Sequence, residues 1–373
     1  MKGLKWSLVF LLVFSAVLNA ATTVSVYWLD EKNNVMTFVD GSKGYYSLKL
    51  CVVSSSDVSV HLTLRGDAFG APKYYEAILK TQRGKACKDV LLYFGERPST
   101  TERSYDVVIN ANNVNGIYAD VEVNGVKLER LGYLRVLRLG GSELTRCLKV
   151  NSNVTYPFIG EHVKLAVSNS CGTPLDVTVK VDVENFADFD LASFVLASNE
   201  KREINVTVPK LVAVNLLGPL GGPAVAVRGL YVSINGTALY YVPVYDYFTY
   251  YVKQNVKSEW RSGGRALKAV GPGEVVTGCA SLPEVVPRTE VPPLEASLKV
   301  VEDLSFAPDE VVAKKNFVID KLPFKECVSF VTEKRWNTKG YKLVLEVSED
   351  VEVMRGKVPL RVSVELSPEL AVR

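Results

Sequence analysis

The six cysteines are the residues whose chemistry the sequence indicates most clearly. They fall in three sequential pairs, which are Cys51 with Cys87, Cys147 with Cys171, and Cys279 with Cys327. In an exported chain such pairs predict three disulfides out of fifteen possible pairings. Each link is expected to contribute about 3–4 kcal/mol by restricting the unfolded chain. Cys51 shares strand parity with Lys49, so a bulge or a covered outer face must accommodate it.

Histidine is too scarce for most hydrolytic or zinc chemistry. His61 and His162 are the only two, and each has solvent-facing strand parity. A Ser-His-Asp triad or a His-rich zinc site therefore lacks its usual groups. The nucleophile elbow, the P-loop and the dinucleotide-binding fingerprint are also absent from the sequence. We predict that the chain is not an enzyme and holds no cofactor.

An acidic stretch at residues 182–190 is the weak calcium candidate of the chain. Its oxygen ligands would be Asp182, Glu184, Asp188 and Asp190. The spacing does not match an EF-hand loop, so a solvated acidic loop is the preferred interpretation and no metal is predicted. Glycoside hydrolysis needs two positioned carboxylates, and no local pattern selects such a pair.

Residues 240–251 are unusually rich in tyrosine. Alternation places one set of rings on the outer face, namely Tyr241, Tyr245, Tyr247 and Tyr251. It places a second set toward the core, namely Val242, Val244 and Phe248. We predict that the tyrosine face is buried against a neighbouring module, with the C-terminal one as the nearest, or against a second chain. A platform for sugar rings and plain cross-strand packing are the alternatives.

Three Asn-X-Thr sequons begin at Asn153, Asn205 and Asn235. They are predicted glycan acceptors if the chain is exported. Asn235 stands at the tip of a predicted hairpin, where an acceptor is best exposed.

The elements that position these residues are predicted to be strands. Residues 47–64 alternate apolar and polar side chains on both sides of a Ser-Ser-Ser-Asp turn, and residues 163–182 repeat the pattern. Period two on both sides of a turn predicts an antiparallel strand pair. Asn124-Gly125 and Asn235-Gly236 predict two-residue hairpin turns. The proline-rich residues 283–293 are predicted to be extended and unpaired. The fold class is therefore all-β and antiparallel.

A length of 373 residues suits three β-sandwich modules rather than one. We place them at residues 21–146, 147–256 and 272–373, with a linker at residues 257–271. Strand spacing, hairpins and cysteine placement resemble the tandem immunoglobulin-like and fibronectin-III-like modules of prokaryotic, especially archaeal, surface proteins. That resemblance implies fold and surface location, and it implies no catalytic residues.

The N-terminus is predicted to be a signal peptide covering residues 1–20. Lys2 and Lys5 precede an apolar run at residues 6–18, and small residues follow it. A retained membrane anchor is one alternative. Lys2-Gly3 also resembles an archaeal pilin-type signal, which would keep the run as an assembly helix. Residues 211–227 are uncharged, but their prolines and glycines predict an apolar loop rather than a second span.

The charge balance of 44 basic and 41 acidic residues, net +3, gives no reason to expect a nucleic-acid partner. Two glutamines and three methionines among many charged residues indicate a thermophile. We predict a non-enzymatic, exported cell-surface or secreted protein that acts in adhesion or as an envelope or filament scaffold. Its partners would be proteins, including copies of itself, and glycans. The alternatives are a carbohydrate-binding or carbohydrate-active secreted protein, and a pilin-like subunit.

Overall fold

The computed structural model describes residues 21–99, 104–140, 144–214, 223–333, 335–353 and 356–373. The predicted signal peptide lies outside these residues. The described chain is almost entirely β-structure, arranged in several sheets, which confirms the all-β class. Within these ranges no helix has the length and apolar character needed to cross a membrane.

Two sheets form what we call the N-terminal sheet pair, residues 22–137. Its strands are β1 (Thr22–Leu29), β2 (Val35–Met36), β3 (Phe38–Asp40), β4 (Tyr45–Ser54), β5 (Ser59–Gly66), β6 (Lys73–Lys80), β7 (Lys85–Tyr93), β8 (Val107–Asn110), β9 (Gly116–Val123) and β10 (Val126–Leu137). One sheet has the order β2-β1-β4-β7-β8 and the other β3-β10-β9-β5-β6. Trp28 of β1 donates its indole N–H to the carbonyl oxygen of Gly132 in β10 at 2.7 Å, across the core between the sheets.

The central sheet pair, residues 148–243, follows the one-turn helix α1 (Leu144–Cys147). Its strands are β11 (Leu148–Ser152), β12 (His162–Asn169), β13 (Leu175–Val183), β14 (Phe189–Leu196), β15 (Lys201–Thr207), β16 (Val212–Ala213), β17 (Ala224–Val225), β18 (Val227–Ile234) and β19 (Thr237–Pro243). The main sheets have the orders β11-β12-β15 and β14-β13-β18-β19, and β16 pairs with β17. A π-helical turn (Phe248–Val252) and α2 (Lys253–Asn255) follow β19.

The C-terminal sheet pair occupies residues 257–372. Its strands are β20 (Lys257–Ser262), β21 (Arg265–Ala266), β22 (Ala269–Val270), β23 (Val275–Ser281), β24 (Val285–Val286), β25 (Glu290–Leu304), β26 (Glu310–Lys321), β27 (Lys325–Val331), β28 (Thr338–Val353) and β29 (Gly356–Val372). Its sheets have the orders β21-β20-β23-β27 and β22-β29-β28-β25-β26, whereas β24 joins β1 of the N-terminal sheet pair. Residues 257–271 therefore hold three strands of this sheet pair instead of the predicted linker.

The N-terminal and C-terminal sheet pairs repeat one strand order. Their disulfides take equivalent places, because Cys51 of β4 faces Cys87 of β7 just as Cys279 of β23 faces Cys327 of β27. Their tryptophans correspond as well: Trp28 and Trp260 each follow the residue that pairs with the first of these cysteines. Both indoles are fully buried and donate to a carbonyl of the facing sheet, in the second case that of Pro368 at 2.8 Å.

The two predicted strand pairs at residues 47–64 and 163–182 are wrong as hairpins. β4 and β5 lie in opposite sheets, and so do β12 and β13. The alternation is real, because each strand buries one face. Two strands that face each other across a core show the same period as two strands that pair. Period two therefore predicts which side chains are buried and leaves the pairing partner open.

Predictions that depend on local chemistry are confirmed. β9 and β10 are joined at Asn124-Gly125, and β18 and β19 at Asn235-Gly236, with positive φ at all four residues. This is the type I′ geometry that Asn-Gly favours. All three predicted cysteine pairs lie at disulfide distance, with Cα separations of 4.1, 5.0 and 4.0 Å. Cys51 does point to the outer face of its sheet and is buried there, whereas its partner Cys87 is exposed.

Candidate functional site

The tyrosine-rich residues 240–251 lie where the three sheet pairs meet. They do not continue as one strand, because β19 ends at Pro243 and a π-helical turn begins at Phe248. Asp246 holds the turn: its carboxylate accepts from the backbone N–H of Thr249 at 2.9 Å and from the Thr249 hydroxyl at 2.8 Å. Burial raises the pKa of Asp246 to about 6, although these hydrogen bonds work in the other direction.

The four tyrosines of the predicted face are all buried, but they do not share one face. The backbone carbonyl of Tyr241 accepts from the hydroxyl of Thr37 in the N-terminal sheet pair at 2.9 Å. Tyr247 and Tyr251 instead donate their hydroxyls to Pro292 and Pro283 in residues 283–293, at 2.8 and 3.1 Å. The strand alternation fails here because the chain turns after Pro243. The residues that bury these tyrosines therefore come from two sheet pairs.

Six buried or partly buried charges form what we call the junction cluster. Its members are Asp67, Arg130 and Arg135 of the N-terminal sheet pair and Asp182, Glu184 and Arg228 of the central region. The first set carries a net charge of +1 and the second a net charge of −1, so the two faces are complementary. A buried charge is tolerated only when it is paired and hydrogen-bonded. The net charge of each face is therefore offset by the other face when the two are in contact.

Arg228 is the bridge between the two sides of the cluster. Its Nη1 lies 2.7 Å from Asp67 Oδ2, and its Nη2 lies 2.9 Å from Asp182 Oδ1. Tyrosine hydroxyls also hydrogen-bond to both carboxylates: Tyr133 donates to Asp67 at 2.6 Å, and Tyr241 donates to Asp182 at 2.7 Å. Asp182 is 1% exposed, so these bonds replace its water entirely.

The other two arginines reach across the same junction. Arg130 pairs with Glu184 at 3.1 Å, and its guanidinium lies 4.4 Å from the ring centroid of Tyr118. Arg135 lies 3.7 Å from Asp182, and its guanidinium lies 5.2 Å from the ring centroid of Tyr231. Stacking on aromatic rings is a favourable environment for a partly desolvated guanidinium.

The pKa directions of Asp67 and Arg228 favour their charged forms. Burial by itself raises the pKa of Asp67, but Arg130, Arg228 and the hydroxyl of Tyr133 outweigh it and hold the pKa below its usual range. Burial likewise works to lower the pKa of Arg228, and the neighbouring Asp182 raises it above the ordinary value. Opposite charges within contact distance have this effect on both partners.

Local backbone features aim these side chains. Arg130 has φ +58° and lies within the first of two register shifts of β10, between Leu128 and Leu131, so a bulge turns it toward the junction. Gly229 adjoins Arg228, and a Cβ built there would lie 2.2 Å from the hydroxyl oxygen of Tyr241. Only glycine lets that ring lie across the strand.

Residues 283–293 attach the C-terminal sheet pair to both other regions. β24 runs parallel to the start of β1, with Val285 beside Thr22, so this stretch is extended as predicted but is not unpaired. Arg288 pairs with Glu161 of the central region at 3.2 Å. Together with the two tyrosine hydroxyls, these contacts tie the stretch to two sheet pairs at once.

A cavity of about 270 Å³ opens at this junction. Aromatic rings from Tyr27, Tyr133, Tyr156, Phe158 and Tyr245 contribute to its wall, with Arg130 and Arg288 beside them. No aspartate, glutamate or histidine is among the described residues that line it. The cavity therefore offers flat apolar surface and two cations.

The calcium candidates do not come together. Asp182 and Glu184 are engaged by arginines as described above, and Asp190 pairs with Lys180 at 3.4 Å. Across the ranges that the structure describes, no group of three potential metal ligands is found. His61 and His162 are both exposed, as predicted, and contact Glu76 and Thr207. The three sequon asparagines are exposed too, and their glycosylation stays a prediction.

No protein-family model matches the sequence, and no curated protein does. Among solved structures, the protein named pT26-6p aligns over 95% of this chain and 65% of its own length, at 9% identity and a TM-score of 0.24. A structure of a 1.5-MDa bacterial ice-binding adhesin aligns over 95% and 99%, at 8% identity and a TM-score of 0.21. A DUF4785 family protein from Legionella pneumophila aligns over 88% and 86%, at 10% identity and a TM-score of 0.20. Values this low carry no inference about function.

Proposed function

We propose that the chain is an exported, non-enzymatic scaffold or adhesin built of three immunoglobulin-like modules, which correspond to the three sheet pairs. The observation that carries the proposal is the junction cluster. Its two faces carry opposite net charges, and ion pairs from Arg130, Arg135 and Arg228 cross between them, which favours one arrangement of the N-terminal and central modules. A chain of fixed modules presents its outer loops at set positions, which is what a surface scaffold requires.

The extracellular location rests on the three disulfides, because such links persist in oxidising compartments. Fractionation of the native cells, with mass measurement of the N-terminus, tests it. We expect the protein in the envelope or the medium, beginning near Ala21 or Thr22. A start at Leu4 would support the pilin-like alternative, and a cytosolic protein with Met1 intact would contradict export.

One observation favours a second candidate, carbohydrate binding. The junction cavity is walled by aromatic rings, the surface on which sugar rings stack. A glycan array with the purified chain, and the Tyr27→Ala variant as its control, separates the two functions. Glycan binding that is lost in the variant would favour the second candidate, and no binding would favour the scaffold.

A further inference from the structure

The outer edge of β27 lacks a strand that its counterpart possesses. In the N-terminal sheet pair, β8 runs parallel to residues 90–93 of β7 and buries Val107 and Ile109. In the C-terminal sheet pair the corresponding sheet ends at β27, and no described strand pairs with its other edge. The central sheet pair also ends at the equivalent strand, β15. The absence of a paired strand is therefore not, by itself, evidence of a binding site.

A cavity lies where that strand would pair. Cys87 and Cys327 occupy equivalent places, so residues 90–93 of β7 correspond to residues 330–333. A cavity of about 280 Å³ is lined by Ser329, Phe330, Val331 and Glu333 on this side, and by residues 310–312 of β26 on the other. The cavity therefore lies at the position that the disulfide register assigns to the missing strand.

The same cavity contains a glutamate at a core position. The inward-facing side chains of β25 are Leu294, Ala296, Leu298, Val300 and then Glu302. Glu302 is 0% exposed, and Thr338 donates to its Oε1. Its Oε2 has no hydrogen-bond partner, although Nη1 of Arg335 lies 3.3 Å away. A buried carboxylate oxygen without such a partner is costly unless a ligand completes it.

The charge of the cavity indicates which class of ligand it binds. Among the described residues that line it, Glu302, Glu310 and Glu333 stand beside a single cation, Arg335, so two negative charges are in excess there. Arg335 is shared among all three carboxylates. The described residues offer no group of three potential metal ligands, so an organic cation fits better than a metal ion.

We propose that residues 329–333 accept a short extended segment of a different polypeptide as an added strand, with a lysine or arginine side chain of that segment reaching Glu302. Main-chain hydrogen bonds along an open sheet edge supply affinity, and one pocket for a side chain supplies specificity. Val331 is 58% exposed on this edge, so an incoming strand also has apolar surface to cover. This inference goes beyond the proposed function and does not depend on it.

Titration of the full chain with two capped eight-residue peptides tests the proposal. Both alternate valine and threonine, and they differ only at one central position, which is lysine in the first and glutamine in the second. We expect the lysine peptide to bind about tenfold tighter, because it pairs a buried charge. Amide hydrogen exchange should slow at residues 329–333 when it binds. Equal binding of the two peptides, no binding, or protection elsewhere would each overturn the proposal.

Variants of the chain sharpen the test. Glu302→Gln should bring the two affinities to within about twofold, because it removes the charge that selects lysine. Arg335→Gln should tighten binding of the lysine peptide, since the competing guanidinium is gone. Glu326→Gln is the matched control: it lies on β27 outside the cavity, paired with Lys315 at 2.6 Å, and should change nothing. If Glu302→Gln does not fold, Glu333→Gln replaces it and should reduce the preference for lysine severalfold.

Light scattering without peptide tests whether the added strand comes from a second copy of this chain. A concentration-dependent dimer that Glu302→Gln abolishes would make the partner a second copy and refute a different polypeptide.

Discussion

The sharpest test of the junction cluster is Arg228→Met, which keeps most of the side-chain volume and removes the charge. Arg228 is 11% exposed and contacts Asp67 at 2.7 Å and Asp182 at 2.9 Å. Removing one partner of a buried ion pair costs about 3–5 kcal/mol, because the other partner keeps its desolvation penalty. Asp67 retains Arg130 and Tyr133 as partners. We therefore expect a loss near the lower end, about 3 kcal/mol.

Urea unfolding of the full chain measures this loss. Amide exchange in β13 and β18 shows whether the loss originates at the junction. The matched control is Arg202→Met, whose ion pair with Glu200 at 2.7 Å is solvent-exposed. An exposed pair contributes about 0–1 kcal/mol. If the two variants lose equal stability, the cluster has no special role and the reasoning fails.

The same variant makes a pH prediction. The folded-state pKa of Asp67 is lowered, so its contribution is present above the unfolded pKa and is lost as pH falls through the folded value. The stability gap between wild type and Arg228→Met should therefore narrow below about pH 4. A gap that stays constant down to pH 2 would mean that Asp67 is not the partner that matters.

Three further predictions follow from single features of the fold. Gly229→Ala should cost about 1–3 kcal/mol, because its Cβ would overlap the fully buried ring of Tyr241, whereas Gly172→Ala, with nothing within 4 Å, should be nearly neutral in the same unfolding assay. Asp246→Asn should flatten the pH dependence of stability. Because the wild-type pKa is about 6, up to about 3 kcal/mol of folding stability is present below pH 4 and is lost as pH rises through 6. A variant whose stability keeps the wild-type slope with pH would contradict this. Replacing both cysteines of the C-terminal sheet pair with alanine should cost about 4 kcal/mol, since that link closes 48 residues, and a loss confined to this sheet pair in amide exchange would locate the effect.

The sequence predicted the features that depend on nearest neighbours. Asn124-Gly125 and Asn235-Gly236 specify their turns because both residues tolerate positive φ. The cysteine pairs were predictable because each link joins two cysteines that follow one another in the sequence. His61 and His162 were correctly placed on solvent-facing positions by period two alone.

The junction cluster was missed for an equally physical reason. β10 contains Arg130 and Arg135 among apolar residues, and its two register shifts move side chains from one face to the other. Strict alternation along the strand therefore assigns side chains to the wrong face after each bulge. Arg228 offered one usable signal, because a charge beside a glycine in an otherwise apolar strand marks a close approach of another chain segment.

The composition of the junction bears on how the N-terminal and central sheet pairs fold. An apolar interface would leave each sheet pair free to fold first and dock afterwards, but with an exposed apolar patch. Here the N-terminal face holds two arginines against one aspartate, and the central face holds two acids against one arginine. When the two faces are separated, water can solvate the charges of each, so neither sheet pair need be unstable alone. Once joined, those charges are desolvated, and only an orientation that pairs all of them is acceptable. The cluster thus selects one arrangement of the two sheet pairs more than it strengthens their contact, and the tyrosine hydroxyls on Asp67 and Asp182 make that selection stricter still.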